Sequence, residues 1–229
     1  MLRKDQATND SRLESVKAFI ADKSFPCVGA KSALNRDRMW LEDFGAMGTP
    51  ESTRQLRKAL MRYSQAFPDP GTAPVSFVAM FDKVGVDDEV AFESLLWEQL
   101  QALHNQDREE GIGWDGNVSN DPSNKNFSFS VGGRAFFVVG LHPGASRMAR
   151  RTPVPCIVFN FHNQFESLKS SGKYTGMQDA IRTRDTALQG SVNPVLARFG
   201  ESSEAIQYSG RAAGSSWKCP FSTRGTMHN

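Results

Sequence analysis

Cysteine is scarce in this chain: Cys27, Cys156 and Cys219 stand alone among 229 residues, with no Cys-x-x-Cys pair. So few thiols, so far apart, exclude a disulfide framework and a tetrathiolate zinc module. Long apolar runs are missing as well. No stretch of roughly 18 apolar residues occurs, and the amino-terminal MLRKDQATNDSR lacks the apolar core of a secretory leader. Neither sign of charge dominates: 27 basic against 25 acidic residues leave +2, which gives no argument for nucleic acid. The phosphate-binding patterns G-x-G-x-x-G and G-x-x-x-x-G-K-[ST] are absent, as are H-E-x-x-H and G-x-S-x-G. A Ser/His/Asp triad has no local motif here, although its members need not be neighbours in sequence. The expectation is a soluble protein of a reducing cytoplasm, with no membrane and no nucleic-acid partner.

What the chain does have is apolar and aromatic residues, 39% and 10%, enough for one sizeable core. The expected division is a loose amino terminus over 1–10, a single domain over 11–221 and a frayed tail over 222–229. Helices are expected over 11–21, from Thr49-Pro50 to about Ala66, and from Asp87 or Asp88 to about Asn105. Further helices are expected over 163–170, 174–188, 193–199 and, as a turn or two, 201–208. Thr49 with Pro50 and Glu51 behind it is a helix-start signature. Phe92, Leu95, Leu96, Leu100 and Leu103 recur at helical spacing. Short β-branched and aromatic runs over 74–81, 127–131, 134–141 and 155–161 read as strands, with Gly132-Gly133 turning a hairpin. No period is clean over 31–49. The polar stretch 106–126 reads as a long loop, with Trp114 anchoring it to the core. Because strict strand–helix alternation is missing, the fold class is α+β: one mainly antiparallel sheet of about four or more strands, packed by helices from both chain ends.

The stretch from Arg134 to Glu166 draws the chemistry together. Its two apolar runs each deliver a histidine at the carboxyl end, His142 and His162, and Arg147, Arg150 and Arg151 lie between them. Arginine forks suit carboxylates and phosphates. A histidine beside them suits haem, whose propionates need positive partners. The bland alternative is two core histidines and a solvated basic loop. Glu166 lies one helical turn from His162, where it would orient the imidazole or bind a cation. A zinc site would have to combine both histidines with a distant third ligand. Cys219-Pro220, flanked by Trp217 and Phe221, reads as a buried anchor rather than an iron thiolate, and Cys27 in Phe-Pro-Cys is read the same way. His104 reads as an exposed residue of a last helical turn.

Several segments together resemble the YqcI/YcgG family. They include Phe25-Pro-Cys-Val-Gly-Ala30, the LHPGASRMARR stretch ending at Arg151, Phe159-Asn-Phe-His162 with Gln164-Phe-Glu166, Ile181-Arg-x-Arg-Asp185, and Trp217-x-Cys-Pro-Phe221. The resemblance covers the chain from about residue 25 to 221. It implies a haem-dependent N-oxygenase: haem b, dioxygen and an external electron donor (a ferredoxin or an NAD(P)H-reductase system), with a small guanidine or amine as substrate. Placing that chemistry on the matched positions makes His142 the axial metal ligand. His162 is then its runner-up, or a donor on the distal side. Arg147, Arg150 and Arg151 become propionate anchors. Glu166 is the first carboxylate for the substrate cation, with Asp185 and Glu204 behind it. A redox partner protein follows, and a homodimer is compatible. The readings held against this one are a haem-binding sensor or carrier without turnover, and a non-haem metal-dependent hydrolase.

Overall fold

A computed structural model describes residues 2–83, 85, 88–193, 202–214 and 216–223. The expected helix over 193–199 lies almost wholly outside these residues, as does most of the tail from 224. The chain forms α1 (Leu2–Ala21), α2 (Val28–Asn35), β1 (Met39–Asp43), α3 (Pro50–Ala66), β2 (Ser76–Met80), α4 (Glu89–Glu109), β3 (Phe129–Val131), β4 (Arg134–Leu141), β5 (Cys156–Phe161), α5 (His162–Ser170), α6 (Lys173–Gln189) and α7 (Ala205–Tyr208). The class is α+β, as the sequence indicates. The sheet has five strands in the order β1-β2-β5-β4-β3, and only the β1–β2 pair is parallel.

Strand periodicity of two divides the core into two layers. Phe77 and Ala79 of β2, Phe136 and Val138 of β4, and Ile157, Phe159 and Phe161 of β5 face α3 and α4, together with Tyr208 and Phe221. Their neighbours Val78, Met80, Cys156, Val158, Val139 and Leu141 face the other way, onto Val16, Ile20 and Phe25. The aromatic layer is dense: Tyr63 stacks on Phe161 with centroids 4.5 Å apart, and Trp97 stacks on Tyr208 at 5.6 Å.

Local chemistry explains the helix starts. Thr49 caps α3, its hydroxyl accepting from the Ser52 N–H, with Pro50 in the first turn. Asp88 caps α4 by accepting from Val90 and Ala91. Three features depart from the sequence reading. β1 forms in the stretch where no period is clean, because Met39 and Leu41 face one layer while Trp40 faces the other. α1 begins at Leu2, so residues from 2 to 10 are helical rather than loose. His104 is buried, its Nε2 donating to the Thr223 carbonyl 3.2 Å away and its ring meeting Trp114 and Phe221 edge-on. Trp114 does anchor its loop, packing on Phe127, Phe129 and Phe221. Among the described residues no helix is long and apolar enough to cross a membrane.

Candidate functional site

β4 and β5 pair directly and antiparallel, with Leu141 opposite Cys156 and Phe136 opposite Phe161. Their carboxyl ends therefore point in opposite directions. Seven residue steps separate His142 from His162 along the sheet, about 23 Å at the strand rise. The two histidines cannot flank one haem, and the expected proximal–distal pair is corrected on that ground.

His142 is not placed as a metal ligand either. It is only 1% exposed, its ring stacks on Phe92 at 4.3 Å, and it lines neither of the two cavities described below. Burial lowers its pKa, so the imidazole is held neutral, and its buried Nδ1 has no hydrogen-bond partner among the described residues. The space above the ring is already taken by the α4 aromatic.

The three arginines do not form a common cradle. Arg150 is buried and spends its guanidinium on main-chain carbonyls: Nη1 donates to Gly140 and Tyr208, and Nη2 to Gln207. Burial pulls its pKa down to about 10. It stitches the 142–151 loop to β4 and α7, and is corrected from propionate anchor to structural clamp. Arg151 bends back onto the Ala145 carbonyl of its own loop. Arg147 donates through Nη2 to Asp185 at 2.6 Å and through Nη1 to the Ser191 hydroxyl, tying the loop to α6. Of the three, Arg147 and Arg150 line a cavity.

That cavity, about 290 Å³, lies between the second face of the sheet and helices α2, α5 and α6. Val78, Val139 and Val158 form its sheet wall, and Leu168, Met177 and Ile181 come from the helices. Cys27 lines it at the start of α2. Its Sγ accepts from the Ala30 N–H at 3.4 Å, so the thiol serves as the helix cap. Burial pushes this thiol's pKa up. Arg147, Arg150, Arg182 and Asp185 are the charged residues of its lining. The other thiols face elsewhere. Cys156 sits in the sheet with its pKa pushed up to about 12 by burial, and Cys219 packs partly buried on the aromatic layer, as its Trp and Phe neighbours suggest. The sequence signal for Cys27 was present, a Pro-Cys pair followed by Val-Gly-Ala at a helix start. Burial and ligation read alike without the cavity.

A second, polar cleft of about 750 Å³ opens near the other end of β4 and β5. Here the structure does assemble candidates: His162, Glu166 and Glu204 line it together with Asp115. His162 Nε2 lies 3.9 Å from Glu166, and its Nδ1 lies 3.7 Å from Glu204. Glu204 is buried, and its Oε2 accepts from Ser128 at 3.0 Å and Tyr208 at 3.2 Å. Burial raises its pKa to about 8, while burial lowers that of His162. Phe137 and Phe165, whose rings meet at 5.3 Å, line the apolar cavity and not the cleft. Glu166 thus belongs to the cleft, away from Cys27 and the arginines. Among the described residues no group of three or more His, Cys, Asp or Glu is arranged to hold a metal ion.

Comparison with known proteins matches residues 16–222 to the model of the YqcI/YcgG family. The uncharacterized protein YqcI of Bacillus subtilis (strain 168) is 26% identical over 191 residues, covering 80% of this chain and 74% of that protein. No solved structure matches. With a single family model spanning both the cavity and the cleft, the chain belongs to the YqcI/YcgG family.

Proposed function

We propose that this protein is a haem-dependent monooxygenase that N-hydroxylates a small guanidino or amino compound, using dioxygen and an external reductant. The observation that carries the reading is the apolar cavity with Cys27 in its wall. Its residues fit the group. A porphyrin needs apolar faces, which the valines of β2, β4 and β5 and the helical Leu168, Met177 and Ile181 supply. Its iron needs one protein ligand, not a cluster of three. Cys27 is the soft donor in reach of that space, seated where a helix amino terminus favours the thiolate. Ionising it opposes the burial that holds the thiol protonated, and iron binding supplies that free energy. Arg147 and Arg182 in its lining are the cations for propionates. At about 290 Å³ the cavity lies just below the roughly 300–1,000 Å³ of small-ligand pockets, so α5 and α6 must move outward from the sheet to admit a porphyrin.

When bound, haem supplies the dioxygen activation that no side chain here can perform, and a thiolate ligand favours O–O cleavage. The chain's own part is to hold that group. The Ala30 N–H donates to the Cys27 sulfur and tunes it. Arg147 is pre-set by Asp185 and Ser191, so little side-chain entropy is lost when it meets an anion. The α5–α6 layer covers part of the cavity over the sheet.

The test is a haemin titration of the full chain followed by absorption spectra. Wild type should give a Soret band and a red-shifted ferrous–CO form diagnostic of thiolate. Cys27→Ser should lose that form, whereas His142→Ala and His162→Ala should keep it. Product analysis with a reductase system and a panel of guanidines and amines should then show a gain of one oxygen derived from dioxygen. An unchanged Cys27→Ser spectrum, or no Soret band in wild type, would sink the assignment.

A further inference from the structure

Strand period two puts Ala135, Phe137 and Val139 of β4 on one face of the sheet, and the register sets Asn160 beside Phe137 and Val158 beside Val139. Val139 and Val158 floor the apolar cavity. Two residues back, about 7 Å along the strands, Phe137 and Asn160 still line it. In the next row, Ala135 and His162 line the polar cleft. Cavity and cleft are thus consecutive lengths of one trough on one sheet face, and they share no lining residue. A pair of rings stands between them. Phe137 rises from the floor and Phe165 meets it from α5, with centroids 5.3 Å apart and planes tilted by 54°. α5 carries both sides of this partition: Phe165 and Leu168 line the cavity, while His162, Asn163 and Glu166 line the cleft.

We propose that Phe165 is a door between the two compartments and decides which molecules cross from the cleft into the cavity. The two rings are not equally placed. Phe137 has a second aromatic neighbour, Tyr208, edge-on at 6.0 Å, and is the fixed side. Phe165 is only partly buried, so rotation about its Cα–Cβ bond carries the ring toward solvent without displacing packed core. The backbone beneath it is held. α5 continues β5 directly, and Gln164 bonds the Ala73 carbonyl and the Val75 N–H. The outward movement of α5 that a porphyrin requires acts in the same sense, drawing Phe165 away from Phe137. The opening is framed by two phenyl rings and by Asn160, whose amide is already engaged with the Ser76 hydroxyl and the Phe137 carbonyl. It therefore passes neutral, apolar groups and holds back charged ones, whose lost hydration nothing in the frame replaces. The door is a property of the free chain. Only its use rests on the oxygenase reading: with haem in the cavity, it is the passage by which a molecule in the cleft reaches that group.

Stopped-flow fluorescence on the haem-free full chain tests this, with N-phenyl-1-naphthylamine as a neutral probe that brightens out of water. Wild type should give a saturable signal. Phe165→Ala should raise the rates of both entry and exit about tenfold, the mark of a lowered barrier rather than an altered site. Phe165→Trp should slow both. Phe165→Leu keeps apolar bulk with less reach, and its intermediate rates decide the matter if circular dichroism shows the alanine variant unfolded. Asn163→Trp, exposed on the cleft side of the partition, should slow entry and exit while leaving the affinity as in wild type. The sulfonated analogue 8-anilino-1-naphthalenesulfonate, which is charged, should enter wild type more slowly than the neutral dye. No signal in wild type, rates unmoved by Phe165→Ala and Phe165→Leu, entry unmoved by Asn163→Trp, or equal entry of the two dyes would each overturn the proposal. Haemin titration of wild type reads the oxygenase assignment separately: a missing Soret band would sink that assignment and leave the door to be judged on these rates.

Discussion

Gly140 is a position in β4 where a methyl group has nowhere to go. A Cβ built there would lie 2.6 Å from Phe92 Cε1 and 2.7 Å from Leu96 Cδ1, both on α4. The glycine thus sets how closely α4 approaches the sheet, and the same approach brings Phe92 onto His142. Gly140→Ala should destabilise the protein by about 1–3 kcal/mol through overpacking, read as a lower urea midpoint. Gly116→Ala, where a Cβ meets nothing within 4 Å, serves as the control near zero. An unchanged midpoint in Gly140→Ala would mean that α4 packs more loosely than the distances imply. At this scale the sequence showed residue types but not their commitments. Arg150 looks like any member of a basic loop until its guanidinium is found on three main-chain carbonyls. Nothing in an arginine's neighbours along the chain says whether it will face water, an anion or the backbone.

Elements were legible where a cap or a strong period marked them. Thr49-Pro50 and the acidic pair at 87–88 announced α3 and α4, and β4 runs over 134–141, the stretch expected from its apolar residues. β1 was not legible, because a strand with apolar residues on both faces shows no alternation. Asp88 carries a prediction for its element. Its Oδ1 accepts from both Val90 and Ala91 at 2.8 Å, satisfying two of the N–H groups that begin α4. Asp88→Ala should cost about 1 kcal/mol, with Asp88→Ser or Asn recovering most of it. Chemical denaturation with an unchanged m value would report this. An equal loss in Asp88→Ala, Asp88→Ser and Asp88→Asn, with no recovery in the last two, would point to charge rather than capping.

For the molecule as a whole, the decisive fact is the direction of two neighbouring strands. Two strand-end histidines look like a pair in the sequence. Direct antiparallel pairing sends them to opposite ends of the sheet, where a parallel pairing would have brought them together. The same sheet then offers two different surfaces: an aromatic layer closed by α3 and α4, and a thinner layer under α2, α5 and α6 that retains a cavity. A ligand that fills this cavity bridges the sheet to α2 through Cys27 and to α6 through Met177 and Ile181. Ligation stabilises the states that hold it and leaves openings elsewhere untouched. Haemin should therefore slow amide hydrogen exchange in α2 and α6, and to a lesser extent α5, while α3 and the central turns of α4 exchange as before. The melting temperature should rise with haemin concentration in wild type. Cys27→Ser should remove most of that rise, since the iron–sulfur bond is then missing and only apolar contact and the Arg147 and Arg182 charges remain. Protection appearing instead in α4, around Phe92 and His142, would place the haem on the aromatic side of the sheet and return His142 to the iron.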